Sequence, residues 1–202
     1  MAMTTYDIIG YWIKDFLIVA VAPSVFVYLF GQYKEFKNRN DERLAVLNAL
    51  HSELSTLDML ICSREEQYVN FVSNHSEQSF FPYISITLNY FTVFDNISAK
   101  FGLINNQVAI ENIIKCYAEV KGLFDDVKNL EYYAKQILTV TNQSQKEIFI
   151  NNYRLNIESV VKVQLPKVKH LIKQSIQCIN EERIEIESKN TILVFLFGDL
   201  FK

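Results

Sequence analysis

The alternation of hydrophobic and polar positions changes character after residue 33. Residues 16–33 read FLIVAVAPSVFVYLFGQY, an eighteen-residue stretch without a charge. In a helix its apolar side chains fall on every face, whereas from Leu47 onward the apolar residues recur at steps of three and four. The first pattern predicts a helix surrounded by lipid, and the second predicts amphipathic helices that pack on one another.

The uncharged stretch has the length of one transmembrane helix. A helix of about 18 to 23 residues rises about 27 to 35 Å, which is enough to cross the hydrocarbon layer. Ten Leu, Ile, Val and Phe side chains between residues 16 and 30 contribute about −3 to −6 kcal/mol toward insertion. A proline near the middle predicts a kink that lipid tolerates. The predicted span consists of Phe16, Leu17, Ile18, Val19, Val21, Pro23, Val25, Phe26, Val27, Leu29 and Phe30.

Aromatic and basic residues flank this stretch, as they do at the two surfaces of a bilayer. Only one lysine precedes the span, whereas several lysines and arginines follow it. Because basic residues stay on the cytoplasmic side, we predict a single-pass membrane protein with its N-terminus outside and its C-terminal domain in the cytoplasm. The predicted interface anchors are Tyr11, Trp12, Lys14, Tyr33, Lys34, Lys37 and Arg39.

Two other interpretations of the stretch are less consistent with the residues. Ala20-Val21-Ala22 resembles the cleavage site of a signal peptide, but the apolar run continues beyond Pro23 and no basic region precedes it. A buried helix of a water-soluble core would not need apolar residues on every face. A membrane span therefore remains the favoured interpretation.

Four helices are predicted after the anchor. The first carries a stripe from Leu47 to Phe71 and can continue from the span itself, because no glycine or proline lies between residues 32 and 81. The second covers residues 86–101 and stops at Gly102. The third is capped by Asn105 or Asn106. Its stripe runs through Ile110, Ile113, Tyr117, Val120, Phe124, Val127, Ala134 and Leu138.

The fourth helix begins at a capping box formed by Ser144 and Glu147. Pro166 should bend or divide this helix. Residues 183–187 alternate as a strand would, which weakens the prediction of a helix there.

The predicted fold is all-α, with an N-terminal transmembrane helix followed by a cytoplasmic antiparallel bundle of about four long helices. Its parts are an anchor (1–34), the bundle (35–190) and an apolar C-terminal tail (191–202). As a helix, the tail's apolar residues would cover only about 16 Å, too short for a second crossing. The tail either dips into the inner leaflet, packs on a partner subunit or completes the bundle core.

Composition and motifs offer little chemistry. The formal net charge of −3 shows no footprint of nucleic-acid binding. Three widely separated cysteines match neither a disulfide framework nor a zinc site. Asp125, Asp126 and Lys128 have a spacing used in some nucleases, but they lie mid-helix, where a solvated face is the simpler interpretation. We predict no catalytic, cofactor-binding or metal-binding residues, and hence a protein that is not an enzyme.

Aromatic residues supply the candidate docking positions, because aromatic anchors are favoured at interfaces. Six of them crowd into residues 80–94, where they would also suit a core. The candidate docking residues are Phe80, Phe81, Tyr83, Phe195 and Phe197. The predicted partners are membrane lipid and a protein partner, a second copy of the chain or both, with no direct binding of nucleic acid.

The order of these features resembles that of small single-span helical membrane proteins of bacteria, some associated with anti-phage defence as retron-type transmembrane effectors. The resemblance is carried by ALHSEL (49–54), FPY (81–83), VFDNI (93–97), GLI (102–104) and IIKCY (113–117). These pieces cover about half of the chain. The resemblance implies an effector that perturbs the membrane through its span and through partner binding. The alternative is a passive, membrane-tethered scaffold or sensor subunit that recruits a cytosolic complex.

Overall fold

The computed structural model describes residues 22–74 and 88–189, and these residues are helical apart from short connections. No strand occurs among them, so the all-α prediction is confirmed for the described residues. The elements are α1 (Ala22–Asn74), a 3₁₀ turn (Leu88–Phe91), α2 (Thr92–Ile97), a second 3₁₀ turn (Ser98–Leu103), α3 (Gln107–Thr139), α4 (Gln143–Ser159), a π-helical segment (Val160–Gln164) and α5 (Leu165–Lys189).

Helix α1 is 53 residues long and joins the second half of the predicted span to the first cytoplasmic stripe. The prediction that this helix continues from the apolar stretch is confirmed for residues 22–33, whereas residues 16–21 lie outside the described residues. None of the helices within residues 22–74 and 88–189 is both long enough and apolar enough to cross a bilayer.

The described residues fall into two compact units. One unit comprises residues 45–74 and 88–184, and the other comprises residues 22–44 and 185–189. The predicted division at residues 34 and 190 stays a prediction, and the tail lies outside the described residues.

The core of the larger unit follows the predicted stripes. On α1 the predicted positions from Leu47 to Ile61 and Tyr68 are buried, while the skipped Arg64 is half-buried. On α3 the stripe is buried from Ile113 to Val127.

The end of the α3 stripe was predicted wrongly. Leu138 is 75% exposed, whereas Leu130 and Ile137 are buried. The buried positions include Leu130 rather than Glu131. The predicted step to position 131 therefore moved the end of the stripe from Ile137 to Leu138, one residue too far along the helix. A stripe that packs against neighbouring helices follows a period of about 3.5 residues, and a position one residue too far along is turned about 100° off the stripe.

The second predicted helix is shorter and less regular than expected. Only Thr92–Ile97 is α-helical, and Gly102 lies inside a 3₁₀ turn that ends one residue later. Asn96 Nδ2 donates to the carbonyl oxygen of Thr92 at 2.8 Å, and Ser98 Oγ donates to that of Asp95 at 3.3 Å. Such bonds from side chain to backbone compete with a regular helical ladder.

The fourth predicted helix begins one residue before the predicted capping serine. Asn142 is the N-cap, and its side chain accepts a hydrogen bond from the Gln145 backbone N–H at 3.2 Å. Ser144 is already inside the helix, so the predicted capping box is wrong. The extended backbone at Asn142 fixes the start, because an N-cap needs a non-helical ψ such as its 118°.

Pro166 divides this helix from the next, as predicted. The proline comes shortly after the π-helical segment. The wider turn of this segment ends at Leu165, whose N–H donates to the Val160 carbonyl oxygen. A proline lacks the N–H and crowds the carbonyl four residues earlier, and a π turn accommodates both effects. Residues 183–187 alternate as a strand would, but they do not form one. Helix α5 continues to Lys189, with Ile186 buried and Ile184 exposed.

Candidate functional site

The first turns of α1 expose every apolar side chain that the structure describes there. Residues 24–32 are all exposed, which covers two and a half turns and hence every direction around the helix. Val27 is 70% exposed and Phe26 is 68% exposed. The Phe26 ring stacks on Phe30, with 6.3 Å between the centroids, and both rings are exposed.

The basic residues after this stretch are also exposed. Lys34, Lys37 and Arg39 lie at the surface, and Tyr33 is half-buried. The next buried residue is Asn40, whose side-chain oxygen accepts a hydrogen bond from Arg43 Nη1 at 3.4 Å. The other predicted anchors and docking residues lie outside the described residues: Tyr11, Trp12, Lys14, Phe80, Phe81, Tyr83, Phe195 and Phe197.

Within the larger unit, the carboxylate of Glu53 accepts three hydrogen bonds. Its Oε1 accepts from the Val93 N–H at 2.8 Å, and its Oε2 accepts from the Phe94 N–H at 3.0 Å. The Tyr117 hydroxyl donates to the same Oε2 at 2.6 Å. Helix α2 has no capping side chain of its own, so α1 supplies the carboxylate that satisfies its second and third N–H groups.

Aromatic rings surround this carboxylate. The Tyr117 ring stacks on Phe94 with 4.0 Å between centroids and meets Phe91 edge-on at 6.2 Å. Phe91 also contacts Phe124 at 5.4 Å. The Lys121 ammonium lies 5.1 Å from the Phe91 ring centroid and 2.8 Å from an Asp95 oxygen. The cluster therefore joins α1, α2 and α3 through one carboxylate and stacked rings.

The Tyr117 hydroxyl is a donor held in its neutral form. Burial raises the pKa of this phenol, and the hydrogen bond to Glu53 and the negative charge of that carboxylate raise it further. A neutral phenol donating to an ionised carboxylate is a strong, charge-assisted bond. The arrangement fixes α2 against α1 and α3.

A second carboxylate, this one buried, lies at the other end of the same segment. Glu182 of α5 is 2% exposed, and its Oε1 accepts from the Asn105 N–H at 3.2 Å. The neighbouring Asn106 caps α3 by accepting from the Ala109 N–H at 3.2 Å, which confirms one of the two predicted caps. Residues 90–105 are therefore held at both ends by glutamates from other helices.

The residues with a nuclease-like spacing do not converge. Asp125 pairs with Lys128 at 3.1 Å on an exposed surface, while Asp126 accepts a hydrogen bond from Gln164. Within residues 22–74 and 88–189 there is no group of three His, Cys, Asp or Glu side chains placed to hold a metal ion.

The cysteines of the described chain are free thiols. Burial raises the pKa of Cys116 to about 11, which keeps this thiol protonated near neutral pH. Cys62 is exposed, and Cys178 is partly buried.

Sequence reasoning missed the roles of Glu53 and Glu182. A signal was present, because Glu182 lies three residues after Ile179 and four before Ile186, within the buried stripe of α5. Glu53 lies between Leu50 and Leu57 at the same spacings. A carboxylate on a buried stripe needs a partner, and here the partners are backbone N–H groups that no side-chain pattern identifies.

The chain matches no protein-family model, no curated protein and no solved structure. Its function is therefore inferred from its own residues.

Proposed function

We propose that the chain is a membrane-anchored helical protein of the bacterial inner membrane that acts through its span and through association, without catalysis. The observation that supports this most is the start of α1, where residues 24–32 expose apolar side chains in every direction. A helix that is apolar all round is stable in hydrocarbon or inside a larger protein core, and no described residue covers this one.

The described part supplies about three fifths of the length of the proposed span. Residues 22–33 rise about 18 Å as a helix, compared with about 30 Å for the hydrocarbon core. Their five Leu, Val and Phe side chains contribute about −1.5 to −3 kcal/mol toward insertion. Residues 16–21, which the sequence predicts to extend the span, would supply the remaining length and five more strongly apolar residues.

The proposed action is perturbation of the membrane when the chains are released or clustered. Under this proposal the bundle binds a partner or a second copy, and the exposed basic residues Lys34, Lys37 and Arg39 lie at the cytoplasmic headgroups. The resemblance to retron-type transmembrane effectors supports an anti-phage role, and it rests on the order of features rather than on a site.

The test is overexpression of the full chain in bacteria with a fluorescent readout of membrane potential. We expect depolarisation with the native chain. A variant in which residues 16–30 are replaced by an unrelated single span of equal length should reach the membrane without depolarising it. Normal potential with the native chain at matched abundance, in the absence of a partner, would refute autonomous permeabilisation.

The same pair of variants distinguishes a passive scaffold. If the swapped span leaves the biological activity of the chain unchanged, the span is only a tether and the bundle carries the function. A triple alanine variant at Asp125, Asp126 and Lys128 should keep the full depolarising activity of the chain. Loss of this activity would instead indicate a nuclease-like site.

A further inference from the structure

We infer that residues 90–105, here named the strap, open from the bundle as one unit, and that the carboxylates of Glu53 and Glu182 set the equilibrium of this opening. This inference does not depend on the membrane proposal, because every residue that carries it belongs to the larger unit.

The strap is attached without burying much of itself. Neither α2 nor the 3₁₀ turn that follows it contains a buried residue, and Ile104 is the first buried side chain after them. Segments with few buried apolar groups open at lower free energy than the helices of a core. The strap therefore has the character of an element that detaches before the rest of the unit unfolds.

Hydrogen bonds attach the strap to α1 and α5, while its rings contact α3. Glu53 of α1 accepts from two strap N–H groups and Glu182 of α5 accepts from a third, at distances between 2.8 and 3.2 Å. An open groove lies between α1 and the strap beside the Glu53 contacts. It is lined by Ala49, Ser52 and Glu53 of α1 and by Tyr90, Thr92 and Val93 of the strap. At this edge the Glu53 carboxylate, rather than continuous apolar packing, holds the strap to α1.

The strap covers apolar surface of α3. Tyr117 is fully buried and Phe124 is 6% exposed, and their rings contact Phe91 and Phe94 of the strap. Opening would expose these ring faces together with the Tyr117 hydroxyl. The strap is therefore a conformational device that controls how much apolar surface the bundle presents.

Glu53→Gln is the most informative substitution for this inference. The single amide oxygen of glutamine can accept from one of the two N–H groups, while its amide nitrogen faces the other as a second donor. A half-buried N–H group that loses its acceptor costs free energy, so we expect the opening equilibrium of the strap to rise roughly tenfold. Tyr117→Phe removes one hydrogen bond and keeps the ring, so its effect should have the same pattern and a smaller size.

Amide hydrogen exchange of the full-length chain in detergent micelles tests this inference. In the native chain, strap amides should exchange faster than those in the centre of α3. Glu53→Gln should increase exchange as far as Asn105, and Glu182→Gln should increase exchange at Val93 and Phe94. Glu66→Gln on α1 and Glu187→Gln on α5 are matched controls, because both side chains are exposed.

Exchange confined to the amides that each glutamate contacts would refute a strap that opens as one unit. An equal rise in all helices would also refute it, because the opening would then be global unfolding. If Glu53→Gln does not fold, two other variants test the same inference. Glu182→Gln changes the contact at the other end of the strap, and Tyr117→Phe changes the contact from α3.

Discussion

The two ends of α1 contain similar apolar residues in different surroundings. Residues 24–32 are exposed in every direction, whereas between residues 46 and 68 one stripe is buried and the other faces carry polar side chains. Leu29 is 39% exposed and Leu50 is fully buried, although both lie in the same helix. Among residues 22–74 and 88–189, other helices cover the second stretch, and the first one stays apolar and exposed.

This difference teaches that apolar content alone does not identify a protein core. An apolar stripe about 100° wide can be covered by neighbouring helices. In the larger unit, the buried stripes of α3 and α5 cover the stripe of α1. An apolar surface on all sides needs hydrocarbon or the interior of a larger protein around it. The comparison can be tested by making the same kind of change in both stretches.

The largest effect is expected when a leucine is truncated in the buried stretch. Leu50→Ala should reduce the free energy of unfolding of the bundle by about 2 to 5 kcal/mol, because it leaves a cavity in a fully buried site. Leu29→Ala should change this free energy by less than about 0.5 kcal/mol. Denaturant titrations followed by circular dichroism give both values. Equal losses would show that residue 29 also belongs to a packed core.

The second effect concerns a charge in the exposed stretch. Val27→Arg should weaken membrane insertion by about 2.5 to 3.5 kcal/mol if the residue lies near the centre of the span. The measurement is the fraction of chain that inserts into vesicles. Val108→Arg is the matched control, since Val108 is 60% exposed on α3 of the bundle. Comparable losses at the two positions would contradict a lipid environment specific to residue 27.

The third effect tests the buried side of the comparison through pH. Burial raises the pKa values of Tyr68, Tyr117 and Tyr153 above their ordinary value of 10.0. Above pH 10 only the unfolded state releases these protons, so the stability is full below pH 10 and is lost as the pH rises. At about pH 11 each of these phenols should lower the free energy of unfolding by roughly 1.4 kcal/mol.

Tyr68→Phe separates this cost from other alkaline effects. The Tyr68 hydroxyl is buried without a hydrogen-bond partner, so its removal breaks no such bond. The variant should match or exceed native stability at about pH 8 and recover roughly 1.4 kcal/mol at about pH 11. Denaturant titrations at both pH values measure this. An unchanged loss at high pH would show that Tyr68 does not titrate with unfolding.

The smallest effect distinguishes two candidate caps of α4. Asn142→Ala should destabilise the bundle by about 1 kcal/mol, because the Gln145 N–H loses its acceptor. Ser144→Ala should have little effect, since Ser144 is exposed within the first turn. Thermal unfolding of the two variants side by side ranks them. The reverse order would restore the capping box that the sequence suggested.

Much of the described fold was predictable from hydrophobic spacing. The stripes of α1 and α3 and the division at Pro166 follow from helical period and from proline geometry. These features are local, so a single sequence is enough to find them. The errors at Leu138 and Ser144 are displacements of one or two residues within correctly predicted helices.

The strap and its two glutamates were not predictable in the same way. Glu53 bonds to backbone groups about 40 positions away, and Glu182 to one 77 positions away. Backbone donors leave no residue-specific pattern, so sequence can flag only that a carboxylate lies on a buried stripe. The short α2 depends on Glu53 for its cap, and helical period alone therefore overestimated its length.

The central claim is that hydrocarbon surrounds the start of α1. Ultracentrifugation of the full-length chain, expressed in bacteria and separated with and without detergent, measures this most directly. We predict that the chain sediments with membranes, stays there after an alkaline carbonate wash and is released by detergent. A monomer that remains in the supernatant without detergent would contradict the account.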